Sequence, residues 1–232
     1  MERWVLLRKG ADFEAIGKKY QISPRLACLI RNRDVIGEEA IERYLNGTIS
    51  DLYDGMLMKD ADKAIDILKE KIAEEKKIRV IGDYDIDGVN ATYILLEGLE
   101  RLGAYVDSDI PDRIGDGYGL NRHLIDRAYD AGIDTIITCD NGIAAANEIA
   151  YGKELGMTII VTDHHEIPFD EIDGEKIYRL PPADAVIDPK QKDCVYPFKG
   201  LCGAAVAYKL MEALWDCLLY TSDAADDRIS VD

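Results

Sequence analysis

The sequence is poor in the features of secreted and membrane proteins. Its 232 residues include five scattered cysteines without a C-x-x-C pair. No apolar run reaches the roughly 18 residues that a membrane span needs, and the N-terminus, Met1-Glu-Arg-Trp, lacks the apolar core of a signal peptide. An odd number of cysteines favours reduced thiols. We therefore expect a cytoplasmic protein that has no membrane partner and no cysteine-based metal site.

Positive charge is also scarce, because 28 Lys and Arg residues stand against 45 Asp and Glu residues, for a net charge of −17. This balance argues against non-specific nucleic-acid binding over the whole surface. Residues 1–56 are balanced, with nine basic and nine acidic residues, so the acidic excess belongs to the rest of the chain. The length allows one large domain or two modest ones.

Short apolar runs and amphipathic segments alternate after residue 57. Strands are predicted at residues 78–81, 104–110, 135–139, 157–162 and 184–187, and helices at residues 58–72, 89–102, 120–131 and 144–155. This alternation predicts an α/β fold with a parallel sheet flanked by helices. Residues 1–56 predict a small helical N-terminal segment, with helices at 12–20, 24–32 and 38–45. Residues 57–215 are predicted to form the main domain.

Three aspartates, Asp83, Asp85 and Asp87, follow the first strand at alternate positions. If the extended backbone continues, their side chains share one face. Carboxylates so close to one another repel, which raises their pKa values. A hard divalent cation such as Mg²⁺ or Mn²⁺ bound between them relieves this repulsion. The alternative interpretation is a solvated acidic turn that caps a helix.

Two further strands end in similar residues. Asp140 follows residues 135–139, and Asp163-His164-His165 follows residues 157–162 and contains two of the three histidines of the chain. Parallel strands bring their carboxyl ends to one edge, where open α/β sheets bind ligands. The three groups should therefore converge on one site.

The chain resembles the DHH phosphoesterase superfamily, whose signature is Asp163-His164-His165, and within it the RecJ-type single-strand-specific exonucleases. The resemblance covers about residues 1–215. It rests on segments 82–88, 110–113, 116–120, 138–143, 162–165 and 200–209. It implies a two-metal exonuclease with Mn²⁺ or Mg²⁺ as cofactor that hydrolyses single-stranded DNA from 5′ to 3′ in DNA repair and recombination. Single-strand-binding proteins or helicases are the implied protein partners.

The resemblance also implies residue roles. Its implied metal ligands are Asp85, Asp87, Asp140 and His164, with Asp83 as a further ligand or a support. Asp140 would bridge the two ions, since its strand should lie between the other two clusters.

Two implied catalytic residues follow from the same signature. His165 would bind the scissile phosphate, or alternatively pack behind the site. Asp163 would orient a histidine through its ring N–H, or alternatively cap a turn.

Three residues are candidates for substrate binding. Arg113 would contact a phosphate, Tyr118 would stack on a base, and Asn141 lies next to the implied bridging aspartate. The alternatives are an exposed arginine without a specific contact and a tyrosine that packs on a glycine-rich turn. Residues 200–210 are interpreted as a core helix with no binding role.

The chain departs from the family pattern after residue 215. The family's later metal-binding aspartate, long helix and cleft-closing domain have no counterpart, and residues 216–232 show no apolar periodicity. We expect a truncated, weakly active or inactive fragment whose last residues are a disordered, non-native tail outside the family. A divergent natural terminus is the alternative.

Two other functions remain open at this point. A DHH-family small-molecule phosphodiesterase or pyrophosphatase would use the same chemistry. A catalytically inactive module that binds nucleic acid or a partner is the second alternative, although the retained acids and histidines argue against it.

Overall fold

A computed structural model describes residues 9–112, 119–172 and 174–226, with side chains as far as residue 218. The chain divides into two compact units between Leu52 and Tyr53. This division lies a little before the boundary that the sequence predicts after residue 56.

The first unit is helical, as its sequence predicts. The side chain of Asp12 accepts a hydrogen bond from the Ala15 amide (2.9 Å), and that of Ser23 accepts one from the Leu26 amide (3.2 Å). Such caps satisfy amides that have no partner within the helix, and the proline after Ser23 suits the first helical position. The helices are α1 (Phe13–Tyr20), α2 (Pro24–Asn32) and α3 (Glu38–Asn46).

The second unit is built on a parallel five-stranded sheet with the strand order β2-β1-β3-β4-β7. The strands are β1 (Lys77–Ile81), β2 (Tyr105–Asp109), β3 (Thr135–Cys139), β4 (Thr158–Thr162) and β7 (Ala185–Ile187), and a separate hairpin contains β5 (Phe169–Ile172) and β6 (Glu175–Tyr178). The helices are α4 (Ala61–Ala73), α5 (Ile86–Arg101), α6 (Arg122–Asp130), α7 (Ala146–Glu154) and α8 (Gly203–Asp226). The predicted α/β class and parallel sheet are confirmed.

Helices cover both faces of the sheet, so β3 and β4 are buried along almost their whole length. One core contains Leu95 of α5 and Leu210 of α8. The other contains Leu124 of α6 and Ile149 of α7. Successive residues of β3 point into opposite cores, as the pleat of a strand requires.

The central strands also align the residues that follow them. β3 lies between β1 and β4, as expected, and the parallel register places Thr138 beside Ile81 on one side and Val161 on the other. Asp83, Asp140 and Asp163 therefore leave the sheet at the same edge.

The structure corrects the predicted path of the first acidic segment. Helix α5 begins at Ile86, not at residue 89, because the Asp85 side chain accepts hydrogen bonds from the amides of Asp87 and Gly88, each at 2.9 Å. Asp87 thus lies in the first turn of a helix, and the alternation of an extended chain ends at Asp85.

Helix α8 corrects a second expectation. Val206, Leu210 and Leu214 are buried at helical spacing, which anchors the helix in the core. The helix continues to Asp226. The expectation that residues after 215 lack regular structure is therefore wrong for residues 216–226. Among the described residues, no helix combines the length and apolar character needed to cross a membrane.

Candidate metal centre

The first acidic group combines a buried and an exposed carboxylate. Asp83 is fully buried, and neither of its carboxylate oxygens has a well-formed hydrogen bond within the described structure. Burial raises the pKa of Asp83, and the charge of Asp85 raises it further. Asp85 is exposed and caps α5, which fixes its orientation beside Asp83.

Asp87 is held by the N-terminus of α8. Its carboxylate accepts hydrogen bonds from the Gly203 amide (2.7 Å) and the Ala204 amide (2.8 Å). Burial acts to raise the pKa of Asp87, but these two amides, with help from the neighbouring Cys202 thiol, lower it below its ordinary value. The ionised carboxylate lies 3.5 Å from Nε2 of His164.

Asp140 lies at the centre of the site. It is 1% exposed and adopts the left-handed conformation, with φ of 59°. Its Oδ1 atom lies 3.0 Å from Nε2 of His164 but has no well-formed hydrogen bond in the described part of the chain. Burial, followed by the charges of Asp87 and Asp85, raises the pKa of Asp140 to about 7.

These side chains form two groups that could each hold a metal ion. One contains Asp83, Asp85 and Asp140, and the other contains Asp140, His164 and His165. Within each group the ligand atoms all lie within 4.8 Å of one another, and Asp140 belongs to both. Carboxylate oxygens are the ligands that hard cations such as Mn²⁺ and Mg²⁺ prefer, and the buried carboxylates of Asp83 and Asp140 carry oxygens without a well-formed hydrogen bond in the described part of the chain.

Asp163 makes contacts that fit both interpretations left open by the sequence. Its Oδ1 atom accepts hydrogen bonds from the amides of His164 (2.7 Å) and His165 (3.2 Å), which caps the turn, and lies 2.7 Å from Nδ1 of His165. Its Oδ2 atom accepts a hydrogen bond from the Ile143 amide (2.9 Å). Burial opposes ionisation, but the contact with His165 and these amides lower the pKa of Asp163. The same contact raises the pKa of His165.

A cleft of about 240 Å³ opens beside His165. Asn141 lines it, and its Nδ2 atom donates hydrogen bonds to the carbonyls of Ile81 (3.2 Å) and Cys139 (2.9 Å). Asn141 therefore joins the carboxyl ends of β1 and β3. Arg113 and Tyr118 lie outside the described residues.

Sequence reasoning missed two parts of this site. Asp188 follows β7 just as Asp140 follows β3, and that shared pattern could have revealed it. Gly203 packs against Asp140 so closely that a Cβ atom would lie 2.5 Å from Oδ1. The core helix predicted over residues 200–210 begins at Gly203, and its first turn also holds Asp87. No local signal in the sequence joins Asp87 to a segment more than a hundred residues away.

Residues 77–230 of the chain match the family model described as "DHH family, N-terminal domain". The chain belongs to the DHH family. The matched range includes most of residues 216–232, whose predicted origin outside the family stays a prediction.

Two curated relatives of this DHH chain share one description. The single-stranded-DNA-specific exonuclease RecJ of Bacillus subtilis is 40% identical over 213 residues, which are 91% of this chain and 26% of the relative. The protein of the same description from Escherichia coli is 34% identical over 215 residues, or 92% of this chain and 35% of the relative. The chain thus spans about a quarter to a third of the length of these relatives.

Solved structures of RecJ resemble the fold of this DHH chain. RecJ from Thermus thermophilus in complex with Mn²⁺ superposes with a TM-score of 0.66 and 28% identity, over 93% of this chain and 29% of that one. Exonuclease RecJ bound to manganese gives a TM-score of 0.59 and 34% identity, over 69% of this chain and 38% of that one.

Proposed function

We propose that this DHH domain is part of a metal-dependent exonuclease that hydrolyses phosphodiester bonds of single-stranded DNA from 5′ to 3′. The observation that carries the proposal is the position of Asp140, which belongs to two adjacent ligand groups at the carboxyl edge of the sheet. Two-metal sites are typical of enzymes that hydrolyse phosphate esters. The relatives described as single-stranded-DNA-specific exonucleases supply the proposed substrate.

Asp83, Asp85 and Asp140 would hold one Mn²⁺ or Mg²⁺ ion. Asp140 and His164 would hold a second, with Asp87 as its third ligand because the Asp87 carboxylate lies 3.5 Å from Nε2 of His164. His165, the remaining member of the second ligand group, is left for the phosphate. When bound, such ions act as Lewis acids toward the phosphate and the attacking water. The α8 amides keep Asp87 ionised and oriented toward His164. The chain therefore supplies preformed negative charge at Asp87.

His165 is the proposed phosphate-binding residue. Its contact with Asp163 fixes one edge of the ring and favours the imidazolium form. A positive charge there would stabilise the negative charge that grows on the phosphate during hydrolysis. Asp163 is the proposed orienting residue, because it binds His165 and the turn that carries both histidines.

The cleft beside His165 is the proposed place for the substrate, with Asn141 in its wall. Arg113 and Tyr118 remain proposals for phosphate and base contacts. We also propose action in the cytoplasm, in DNA repair and recombination, with single-strand-binding proteins or helicases as partners. The five scattered cysteines, with no C-x-x-C pair in the sequence, are compatible with a reducing compartment.

The test is an assay of the chain with single-stranded DNA, a cyclic dinucleotide and pyrophosphate, each with and without Mn²⁺. The proposal expects Mn²⁺-dependent release of mononucleotides from DNA, weak in a chain that spans about a quarter to a third of its relatives' length, and abolished by His164→Ala. The matched control is His123→Ala, which removes the third histidine, exposed on α6. Cleavage of only the small substrates, or DNA degradation that His164→Ala leaves intact, would overturn the proposal.

A further inference from the structure

A fourth buried acid, Asp188, lies at the same edge of the sheet. The Asp163 amide donates a hydrogen bond to the Ile187 carbonyl (3.0 Å), so the ladder between β4 and β7 continues beyond both strands. This continuation places Asp188 beside Asp163, and Asp188 is fully buried. The proposed mechanism gives Asp188 no part.

The two neighbouring carboxyl groups have unequal hydrogen bonding. Asp163 accepts three amide hydrogen bonds and contacts the His165 ring. Asp188 accepts one hydrogen bond at Oδ1, from the Lys190 amide (2.7 Å), and its Oδ2 atom has no partner within the described ranges. Two adjacent buried carboxylates repel each other, so the better solvated one keeps the charge. Here that one is Asp163.

Three charged groups act on Asp188 from the surrounding elements. Asp163 and Glu166 are acidic, and Lys190 is basic. The Lys190 ammonium, however, forms an ion pair with Glu166 at 3.0 Å. A cation already paired with another carboxylate offers little compensation for a charge on Asp188.

We propose that Asp188 is a positioning residue that works as a neutral carboxylic acid, so that the negative charge at this edge stays on Asp163, where it holds His165. Burial, with a smaller contribution from the charge of Asp163, raises the pKa of Asp188 to about 7, in agreement with the geometry. The role of His165 rests on the proposed function, whereas the neutrality of Asp188 does not.

The first test is the melting temperature of the intact chain between pH 5 and pH 8, for wild type and Asp188→Asn. The unfolded acid ionises near pH 4, whereas the folded acid keeps its proton to about pH 7, so wild-type stability falls as the pH rises between these values. Asparagine does not titrate. The advantage of Asp188→Asn over wild type should therefore grow by at least about 4 °C across this range.

The control is Glu171→Gln, which removes one carboxylate from the exposed β5–β6 hairpin and should give a pH-independent difference from wild type. A pH-independent difference for Asp188→Asn as well would overturn the proposal. If that variant fails to fold, carboxyl NMR of the wild-type chain decides instead, since a midpoint near pH 4 for Asp188 contradicts its neutrality.

The positioning role is tested by rescue. Mn²⁺-dependent turnover should fall at least about tenfold in Asp188→Ala, as is typical when an outer partner of a site residue is lost, and should largely return in the neutral isostere Asp188→Asn. Equal losses in both variants would contradict the role. The melting profile needs no substrate, so failure of the nuclease proposal and failure of the neutral acid remain distinguishable.

Discussion

Gly203→Ala should disable the metal centre while leaving the fold largely intact. Gly203 is the first residue of α8, and its amide donates to Asp87. The added Cβ atom would lie 2.5 Å from Oδ1 of Asp140 and 2.7 Å from its Cβ and Cγ atoms. One substitution therefore disturbs two proposed ligands at once, without removing either.

The size of the effect follows from these distances. Ordinary contacts begin near 3.4 Å, so Asp140 or the end of α8 must move by about 0.7–0.9 Å. Ligand positions tolerate only about 0.5 Å, so we expect Mn²⁺ affinity to fall by at least about tenfold. Overpacking costs about 1–3 kcal/mol, and the better helix propensity of alanine offsets up to about 1 kcal/mol. The net loss of stability should be about 0–3 kcal/mol.

Isothermal titration calorimetry with Mn²⁺, together with urea unfolding, measures both quantities. Gly98→Ala on α5 is the matched control, because its added Cβ atom would meet the flexible side chain of Met211, 2.7 Å from Sδ, away from the metal centre. Manganese affinity should be unchanged in this control. Wild-type affinity in Gly203→Ala would refute the reasoning, since it would mean that Asp140 need not hold the position seen here.

Three further results are expected. Asp140→Ala should reduce Mn²⁺-dependent turnover more than Asp163→Ala, because Asp140 belongs to both ligand groups and loss of an orienting partner typically costs about 10–100-fold; equal, mild losses would count against a shared ligand. Since the pKa of Asp140 is raised to about 7, its proton competes with the cation, and calorimetry should show Mn²⁺ affinity falling as the pH drops from about 8 to about 6; a flat profile would contradict this competition. A thiol reagent should label the exposed Cys202 and spare Cys139, because burial raises the pKa of Cys139 to about 12. Mn²⁺ should slow the labelling of Cys202, because this residue adjoins Asp87. Peptide mass spectrometry measures both effects, and equal labelling of the two thiols would be inconsistent with the structure.

The sequence predicts those features that depend on local pattern. Five-residue runs rich in β-branched residues mark β3 and β4, and the acids and histidines directly after them must share an edge because parallel strands align their carboxyl ends. Asp140 and His164 therefore come together without any knowledge of loop geometry. Caps at Asp12 and Ser23 mark the starts of helices for the same local reason.

Other features depend on contacts between distant segments or lack a buried face. The β5–β6 hairpin is exposed along both strands, so it has no alternation of buried and exposed positions to predict it. The orientation of the Asp87 side chain depends on two contacts. The Asp85 side chain accepts a hydrogen bond from the Asp87 amide at the start of α5, and the amide of Gly203, a residue distant in sequence, donates a hydrogen bond to the Asp87 carboxylate. Asp188 carries the pattern of a strand-terminal acid, but its significance depends on the neighbouring Asp163, which only the sheet order reveals.

The most direct test of the metal centre is anomalous scattering at the manganese absorption edge from crystals of this chain grown with Mn²⁺. The account predicts two peaks that share Asp140, one beside Asp83 and Asp85 and one beside His164, separated by about 3.5–4 Å as in other two-metal sites. A single peak far from Asp140, or no peak at this edge of the sheet at saturating Mn²⁺, would contradict it.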